Sequence, residues 1–145
     1  MRVLYRGRID PGATSARSPR VAHLRIEPTV GAVGEVRAVL RRLLQSWSML
    51  EVLDSDIELL TSELVTNSVV HAATTTDVTI SYDGTAVRVA ARDRSHATPV
   101  VSSPDPEAEG GRGVWLVATL SSTWGVEPLP DGKRVWFDIE AGNGA

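Results

Sequence analysis

The sequence predicts an α+β fold, a two-layer α/β sandwich in which helices cover one face of a mixed, mostly antiparallel sheet. The predicted elements are a strand, two helices, two strands, a long loop, a helix and two strands, so strands cluster in hairpins between helices. Asp83-Gly84 is a typical hairpin turn, and Pro130-Asp131-Gly132 is a second turn sequence. The first helix is strongly amphipathic, which is typical of a helix that packs on a sheet.

The composition is that of one ordinary globular domain. The chain has 145 residues, of which 42% are hydrophobic and 23% charged, and it can bury a sizeable core. We expect residues 1–19 to form a flexible or edge-strand segment and residues 20–145 to form the domain. The absence of cysteine excludes disulfides and thiolate zinc sites. No apolar run approaches the ~18 residues of a membrane span and no signal peptide is apparent, so a cytoplasmic location is expected.

Charge is distributed unevenly along the chain. Residues 1–50 carry nine Arg and three acidic residues, whereas residues 51–145 carry six Lys or Arg and fifteen acidic residues. The basic half is typical of a solvated helix face, and it could also meet an acidic partner or a phosphate. The net charge of −3 argues against a primary role in DNA binding.

The first strand and helix follow from hydrophobic periodicity. Residues 21–26 alternate as a strand that Pro28 ends, and Thr29 is the predicted N-cap of the helix that follows. The apolar stripe of this helix consists of Val33, Val36, Leu40, Leu43, Leu44 and Trp47. These spacings place the six residues on one side of an α-helix. An additional edge strand at Val3-Leu4-Tyr5 is compatible with the sequence.

The second helix is predicted over residues 54–72. The elements after it are strands at 78–82 and 86–91, a loop at 94–111, a helix at 112–120, and strands at 123–126 and 135–139. The loop is rich in Pro, Gly and Ser, which excludes a long regular element. A loop of this length in a compact domain is usually functional, often as a lid.

The most distinctive pattern lies in the second helix. Glu63, Asn67 and His71 occupy positions i, i+4 and i+8, which drift by only about 40° per step on an α-helix and form one narrow stripe. The stripe borders the apolar face, where half-buried polar groups need partners that a ligand could supply. A carboxylate, a carboxamide and an imidazole can activate a nucleophile, hold a hard cation and meet a phosphate. The alternative is a solvated helix face.

Two later segments extend this pattern. Val-Arg-Val-Ala-Ala-Arg-Asp93 is typical of a strand that ends in a single Asp, and Glu109-Gly-Gly-Arg-Gly-Val-Trp-Leu-Val117 of a Gly-rich loop that opens a helix. The order Glu-x-x-x-Asn, strand-Asp and Gly-x-Gly-helix resembles the GHKL (histidine kinase-like) ATPase superfamily. Within it, the chain is most similar to the small anti-sigma factor serine/threonine kinases of bacteria. The resemblance covers residue 28 to the C-terminus and implies a Bergerat-type ATP-binding fold.

The resemblance implies a role for each motif residue. Glu63 would be the general base, and Asn67 would coordinate a Mg²⁺ ion that bridges the phosphates of ATP. His71 would lie near the phosphates; alternatively, it is a helix C-terminal His stabilised by the dipole. Asp93 would accept a hydrogen bond from the adenine amino group. The other nucleotide-binding residues would be Ser95, Ala97, Gly111, Arg112 and Gly113.

The same resemblance implies a function and partners. The protein would phosphorylate a small anti-sigma antagonist protein and sequester a sigma factor, without contacting nucleic acid or membrane, and a homodimer is compatible with this class. Two features depart from the family pattern. Ser95 and Ala97 stand where the family has glycines. Arg134 stands where the family tends to have a Thr near the adenine. They leave open two alternatives: a catalytically weak or inactive nucleotide-gated binding module, or a nucleotide-free interaction domain.

Other enzyme classes are disfavoured by the residues that they require. Lys133 is the only lysine and no Gly-Lys-Ser/Thr sequence occurs, which excludes a Walker-type P-loop. Three scattered His and no Cys make a metal-hydrolase site a poor explanation. Ser62 lies inside the predicted helix rather than on a strand-to-helix turn, which argues against α/β-hydrolase chemistry.

Overall fold

The computed structural model describes residues 2–6, 19–95 and 123–141. The first half contains the strands β1 (Arg2–Arg6) and β2 (Arg20–Ile26), the helices α1 (Ala32–Ser46), α2 (Leu50–Leu53) and α3 (Ile57–Thr66), and a π-helical turn (Asn67–Ala72). The second half contains the strands β3 (Thr76–Tyr82), β4 (Ala86–Asp93), β5 (Thr123–Leu129) and β6 (Gly132–Glu140). The predicted helix at 112–120, and the predicted loop beyond Ser95, lie outside these residues.

The strands form one sheet in the order β1-β2-β3-β4-β6-β5, in which each described pair is antiparallel. The β3–β4 hairpin closes at the predicted Asp83-Gly84 turn, where Gly84 has φ +105°. Asp83 Oδ1 accepts hydrogen bonds from the backbone N–H groups of Thr85 and Ala86 at 2.8 and 2.9 Å. These backbone donors lower the pKa of the Asp83 carboxyl. The predicted α+β class is confirmed.

Alternate residues of the central strands face the helices and form the core. One row across the sheet consists of Leu24, Val78, Ala91 and Val135, and the next consists of Ala22, Ile80, Val89 and Phe137. All eight side chains are buried. The helices cover them with the predicted stripe of α1, in which Val33 is half-buried and the other five residues are buried. The strand period of two and the helix period of 3.6 therefore meet in one core.

The opposite face of the sheet carries aromatic and ionic pairs in the described part of the chain. The Trp136 indole covers Gly125, where a Cβ would lie 2.6 Å from the ring. The Arg88 guanidinium carbon lies 3.9 Å from the ring centroid of Trp136, within cation–π range. Arg88 also donates two hydrogen bonds to the Asp138 carboxylate, at 2.7 and 2.9 Å. This polar pairing leaves the main apolar core on the helix side.

The helix boundaries differ from the sequence predictions in two places. Helix α1 has Gly31, not Thr29, as its N-cap, because the Thr29 carbonyl accepts a bond from Ala32 N–H (3.2 Å) in a turn that precedes the helix. The predicted helix at 54–72 is not continuous. Ser55 Oγ accepts a bond from Ile57 N–H (3.3 Å) and α3 begins there. The helix becomes π-helical from Asn67 and ends at Ala73, whose backbone is left-handed with φ 50°.

An ion pair joins the two long helices. Arg41 Nε and Nη2 donate to the two carboxylate oxygens of Glu58, at 2.8 and 3.1 Å. This hydrogen bonding lowers the pKa of Glu58, and it raises the pKa of Arg41. Arg41 therefore links α1 to α3 from the polar side of α1. Among the described helices, none is long and apolar enough to cross a membrane.

Candidate functional site

Asp93 ends β4 with a side chain that is only 2% exposed. Its Oδ1 accepts hydrogen bonds from the Lys133 ammonium at 3.1 Å and the Ser95 backbone N–H at 2.9 Å. Its Oδ2 accepts a hydrogen bond from the Ser68 hydroxyl at 3.1 Å. A buried carboxylate requires such partners. An ionised carboxylate has about four acceptor sites, so Oδ2 keeps one that no donor among the described residues fills.

Lys133 reaches this carboxylate because of the sheet register. It lies opposite Asp93 in the β4–β6 pair, and strand alternation turns Lys133 to the helix side and Arg134 to the other face. Arg134 instead donates to the Glu127 carboxylate on β5, at 2.9 Å. Arg134, which was predicted in place of a family Thr near the adenine, therefore faces away from Asp93. Lys133 is the residue of this segment that contacts Asp93, and the sequence interpretation missed it.

Gly132 permits the close approach of β6 to the end of β4. It has φ +156°, and a Cβ at this position would lie 1.9 Å from the Asp93 carbonyl oxygen. Any side chain would therefore separate the two strands where the Asp93–Lys133 pair forms. The first position of β6 therefore requires glycine for reasons of space as well as of backbone conformation.

Glu63 and Asn67 lie at the junction between α3 and the π-helical turn. The Asn67 backbone N–H donates to the Glu63 carbonyl, and both side chains are half-buried. Within the described residues, neither side chain has a hydrogen bond or an ion pair. Ser68 follows Asn67 directly and bonds to Asp93, so the helix segment and the strand end belong to one site.

The site thus combines Glu63 and Asn67, at the end of a helix, with a buried Asp at the end of a strand, and known families were compared with the chain. The model of the histidine kinase-like ATPase domain matches residues 26–139. The chain belongs to this family. A search of curated proteins found no significant match. Histidine kinase-like ATPase domains bind ATP, usually with Mg²⁺, and the family is one of ATP-dependent kinases and ATPases.

The residues of this histidine kinase-like domain have the chemistry to bind both the adenine of ATP and a Mg²⁺ ion on its phosphates. Asp93 Oδ2 retains an acceptor site for an exocyclic amino group. The Asn67 carboxamide and the Glu63 carboxylate have no protein partner in the described chain. No group of three His, Cys, Asp or Glu side chains in that part of the chain could hold a metal by itself. Mg²⁺ that shares its ligands with phosphates needs only one or two protein oxygens.

The π-helical turn changes the geometry expected for the third motif residue. The predicted stripe assumed α-helical spacing, but Asn67–Ala72 has the i→i+5 pattern, so the step from Asn67 to His71 follows a wider turn. The side chain of His71 lies outside what the structure describes. Ser68, which is 3% exposed, is the second residue that the sequence interpretation missed. Its position beside Asn67 was the available signal.

Ser95 is one of two predicted departures from the family's glycines. Its backbone N–H donates to Asp93 Oδ1 at 2.9 Å, and its side chain is half-buried. The other predicted nucleotide contacts lie outside the described residues: Ala97, Gly111, Arg112 and Gly113. Their roles remain predictions.

A polar cleft borders the Asp93 end of the sheet. Its lining residues are Thr75, Asp77, Arg92, Asp93, Arg94 and Asp131, and its volume is about 140 Å³. Arg92 Nη2 bonds to Asp131 Oδ1 at 2.8 Å, and this hydrogen bond lowers the pKa of Asp131. Ligand pockets usually measure ~300–1,000 Å³, so this cleft alone is smaller than a nucleotide site.

Proposed function

We propose that this domain is an ATP-dependent regulatory serine/threonine protein kinase of the anti-sigma type. It phosphorylates a small antagonist protein and sequesters a sigma factor in the cytoplasm. One observation supports a nucleotide site most directly: the buried hydrogen bond from Ser68 to Asp93, at 3.1 Å. It brings the helix segment that carries Glu63 and Asn67 to the strand end that carries the base-binding carboxylate.

Asp93, Asn67 and Glu63 each have a separate role in this mechanism. Asp93 holds the base through Oδ2 and so sets the position of the nucleotide. The Asn67 carboxamide oxygen would hold Mg²⁺, which neutralises phosphate charge when bound. Glu63 accepts the proton of the substrate hydroxyl on a carboxylate oxygen. Positioning and charge neutralisation are the main contributions that a protein makes to phosphoryl transfer.

The first prediction concerns Glu63 as the general base. Glu63→Ala and the near-isosteric Glu63→Gln should reduce phosphate transfer by roughly 10²- to 10⁴-fold, because neither can accept the hydroxyl proton. Both variants should retain ATP binding, since Glu63 has no role in holding the base. Transfer is measured with labelled ATP and the antagonist protein, and binding by calorimetric titration with Mg²⁺.

The control for this experiment is Glu35→Ala. Glu35 is an exposed acidic residue in the first turn of α1 and belongs to none of the predicted site motifs, so transfer should be unchanged. Normal turnover in Glu63→Gln would contradict the general-base role. Loss of both transfer and binding would show instead that Glu63 supports the nucleotide site as a whole.

A nucleotide-gated binding module without turnover is the second candidate function. The feature that favours it is the presence of Ser95 and Ala97 in place of two family glycines, because each added Cβ leaves less space for the backbone to approach a nucleotide. Wild-type protein that binds Mg·ATP but transfers no phosphate to its cognate antagonist would support this module. Sigma-factor binding that requires ATP is expected from both candidates, so the transfer assay distinguishes them.

A further inference from the structure

We propose that Leu59 is a docking residue for the protein substrate, and that it binds an apolar side chain next to the phosphoacceptor hydroxyl of the antagonist. The inference rests on the proposed kinase function and assigns a substrate-selecting contact beside its general base. Leu59 is 44% exposed on α3, whereas Leu60 and Leu64 of the same helix are buried. A single exposed leucine is ordinary on a protein surface, so its meaning depends on its position.

Leu59 lies one helical turn before Glu63. The segment Ile57–Thr66 is α-helical, so Leu59 and Glu63, at i and i+4, lie on the same flank with their Cβ atoms about 5–6 Å apart. Asn67 follows Glu63 by another four residues, on the C-terminal side of the carboxylate. The motif stripe therefore has an apolar side chain at its N-terminal end, a carboxylate in the middle and a carboxamide beyond it.

This order separates the two substrates of the proposed reaction. The Asn67 carboxamide would hold the cation of Mg·ATP, so the phosphates belong on the C-terminal side of Glu63. The attacking and leaving oxygens of phosphoryl transfer lie roughly in line, so the acceptor approaches from the side opposite to the nucleotide. Leu59 is exposed on that side of Glu63. We therefore expect a protein whose hydroxyl reaches Glu63 to cover Leu59.

The surface around Leu59 favours an apolar partner. Its helical neighbours at i+3 and i+7 are Ser62 and Thr66, which are both half-buried. Ser62 Oγ donates to the Glu58 carbonyl at 2.7 Å, and Thr66 Oγ1 donates to the Ser62 carbonyl at 2.6 Å. These bonds use both hydroxyl protons inside the helix, so neither proton is available to a partner. Removal of exposed apolar surface from water is then the main contribution that this patch makes to binding.

The test is steady-state phosphate transfer from labelled Mg·ATP to the antagonist protein that wild type phosphorylates. Leu59→Gln should raise the KM for the antagonist by about tenfold and change kcat by no more than about twofold, because the lost contact holds the substrate equally before and during transfer. The KM for ATP should be unchanged. Leu59→Met retains an apolar side chain and should remain close to wild type. Leu50→Gln is the matched control, because Leu50 is more exposed (59%) and lies in α2, outside the predicted site motifs.

A double-mutant cycle identifies the partner side chain. The apolar residues around the phosphoacceptor of the antagonist are replaced by Ala in turn, and each antagonist variant is assayed with wild type and with Leu59→Gln. At least one replacement should raise the KM of wild type by about tenfold and have little effect on Leu59→Gln, since that contact is already lost. A role of Leu59 in folding alone would not produce this coupling.

An equal KM for the antagonist in wild type and Leu59→Gln overturns the inference and leaves the proposed function intact. If that variant instead changes the oligomeric state in gel filtration, Leu59 belongs to a contact between copies of the chain. An equal rise in KM for Leu50→Gln also overturns the inference, because exposure alone would then explain the effect. Absence of coupling to any apolar residue of the antagonist has the same consequence. Wild-type protein that phosphorylates no antagonist overturns both the inference and the proposed kinase.

Discussion

At the scale of single residues, the position of Gly132 controls how Asp93 and Lys133 meet. The start of β6 passes so close to the end of β4 that no side chain fits between them. The lysine ammonium and the buried carboxylate can then pair across the sheet at 3.1 Å. The geometry of the site is therefore as sensitive to a turn residue as to the side chains that carry charge.

Gly132→Ala should destabilise the fold by about 3 kcal/mol, because the added Cβ meets the Asp93 carbonyl in a backbone conformation that side chains rarely adopt. It should also weaken ATP binding. Denaturant unfolding gives the free energy, and calorimetry gives the affinity. Gly34→Ala is the control: its Cβ has nothing within 4 Å and lies in α1, so it should stabilise by about 0.5–1 kcal/mol. Equal effects of the two variants would contradict the close approach.

At the scale of elements, the change from α3 to a π-helical turn sets the direction of the motif residues. Ser68 comes to face Asp93 in this turn, and Ala73 ends it in the left-handed region. π-helical turns are rare and are frequent at functional sites. Here the turn follows the helix that carries Glu63, and it begins at Asn67, the residue expected to hold the cation.

The Arg41–Glu58 pair predicts a pH dependence at the same scale. Arg41 holds the pKa of Glu58 below its ordinary value, so the pair contributes stability above about pH 4.3 and loses it as pH falls through the folded pKa. Glu58→Gln should remove this part of the acid-induced loss. The measurement is the free energy of unfolding of wild type, Glu58→Gln, Arg41→Gln and the double variant between about pH 6 and 3. Additive effects at pH 6 would show that the two helices are not coupled through this pair.

At the scale of the whole molecule, one core joins both layers. The buried residues of α1, α2, α3 and the central strands form a single cluster, with Phe137 completely buried on β6. Because both layers share it, we expect the helices and the sheet to unfold together. The site lies at the edge of this core, where Asp93 and Lys133 continue the inward-facing rows of β4 and β6.

Phe137→Ala should lower the free energy of unfolding by about 3–5 kcal/mol, through the lost burial and the cavity that remains. Val30→Ala is the control, because Val30 is fully exposed and its loss should change stability by no more than about 0.5 kcal/mol.

Chemical unfolding followed by circular dichroism and by tryptophan fluorescence should give one coincident transition. Separate transitions for the two probes would show that the layers unfold independently.

The sequence by itself determined the fold class, the β3–β4 hairpin and the presence of a helix that carries Glu63. These features depend on local patterns: the helical stripe of α1, the strand alternation and the Asp83-Gly84 turn are readable within a few residues. The positions of Glu63 and Asn67 beside an apolar stripe were also local. Both side chains are half-buried, as that position indicated.

Only the tertiary structure decided which residues surround Asp93. Sheet register placed Lys133 rather than Arg134 on the inner face, and a one-residue shift in register reverses every side chain of a strand. The helix end likewise brought Ser68 to Asp93 from 25 residues away in the chain. Register and the α-to-π change depend on how strands and helices pack together, so no local pattern specifies them.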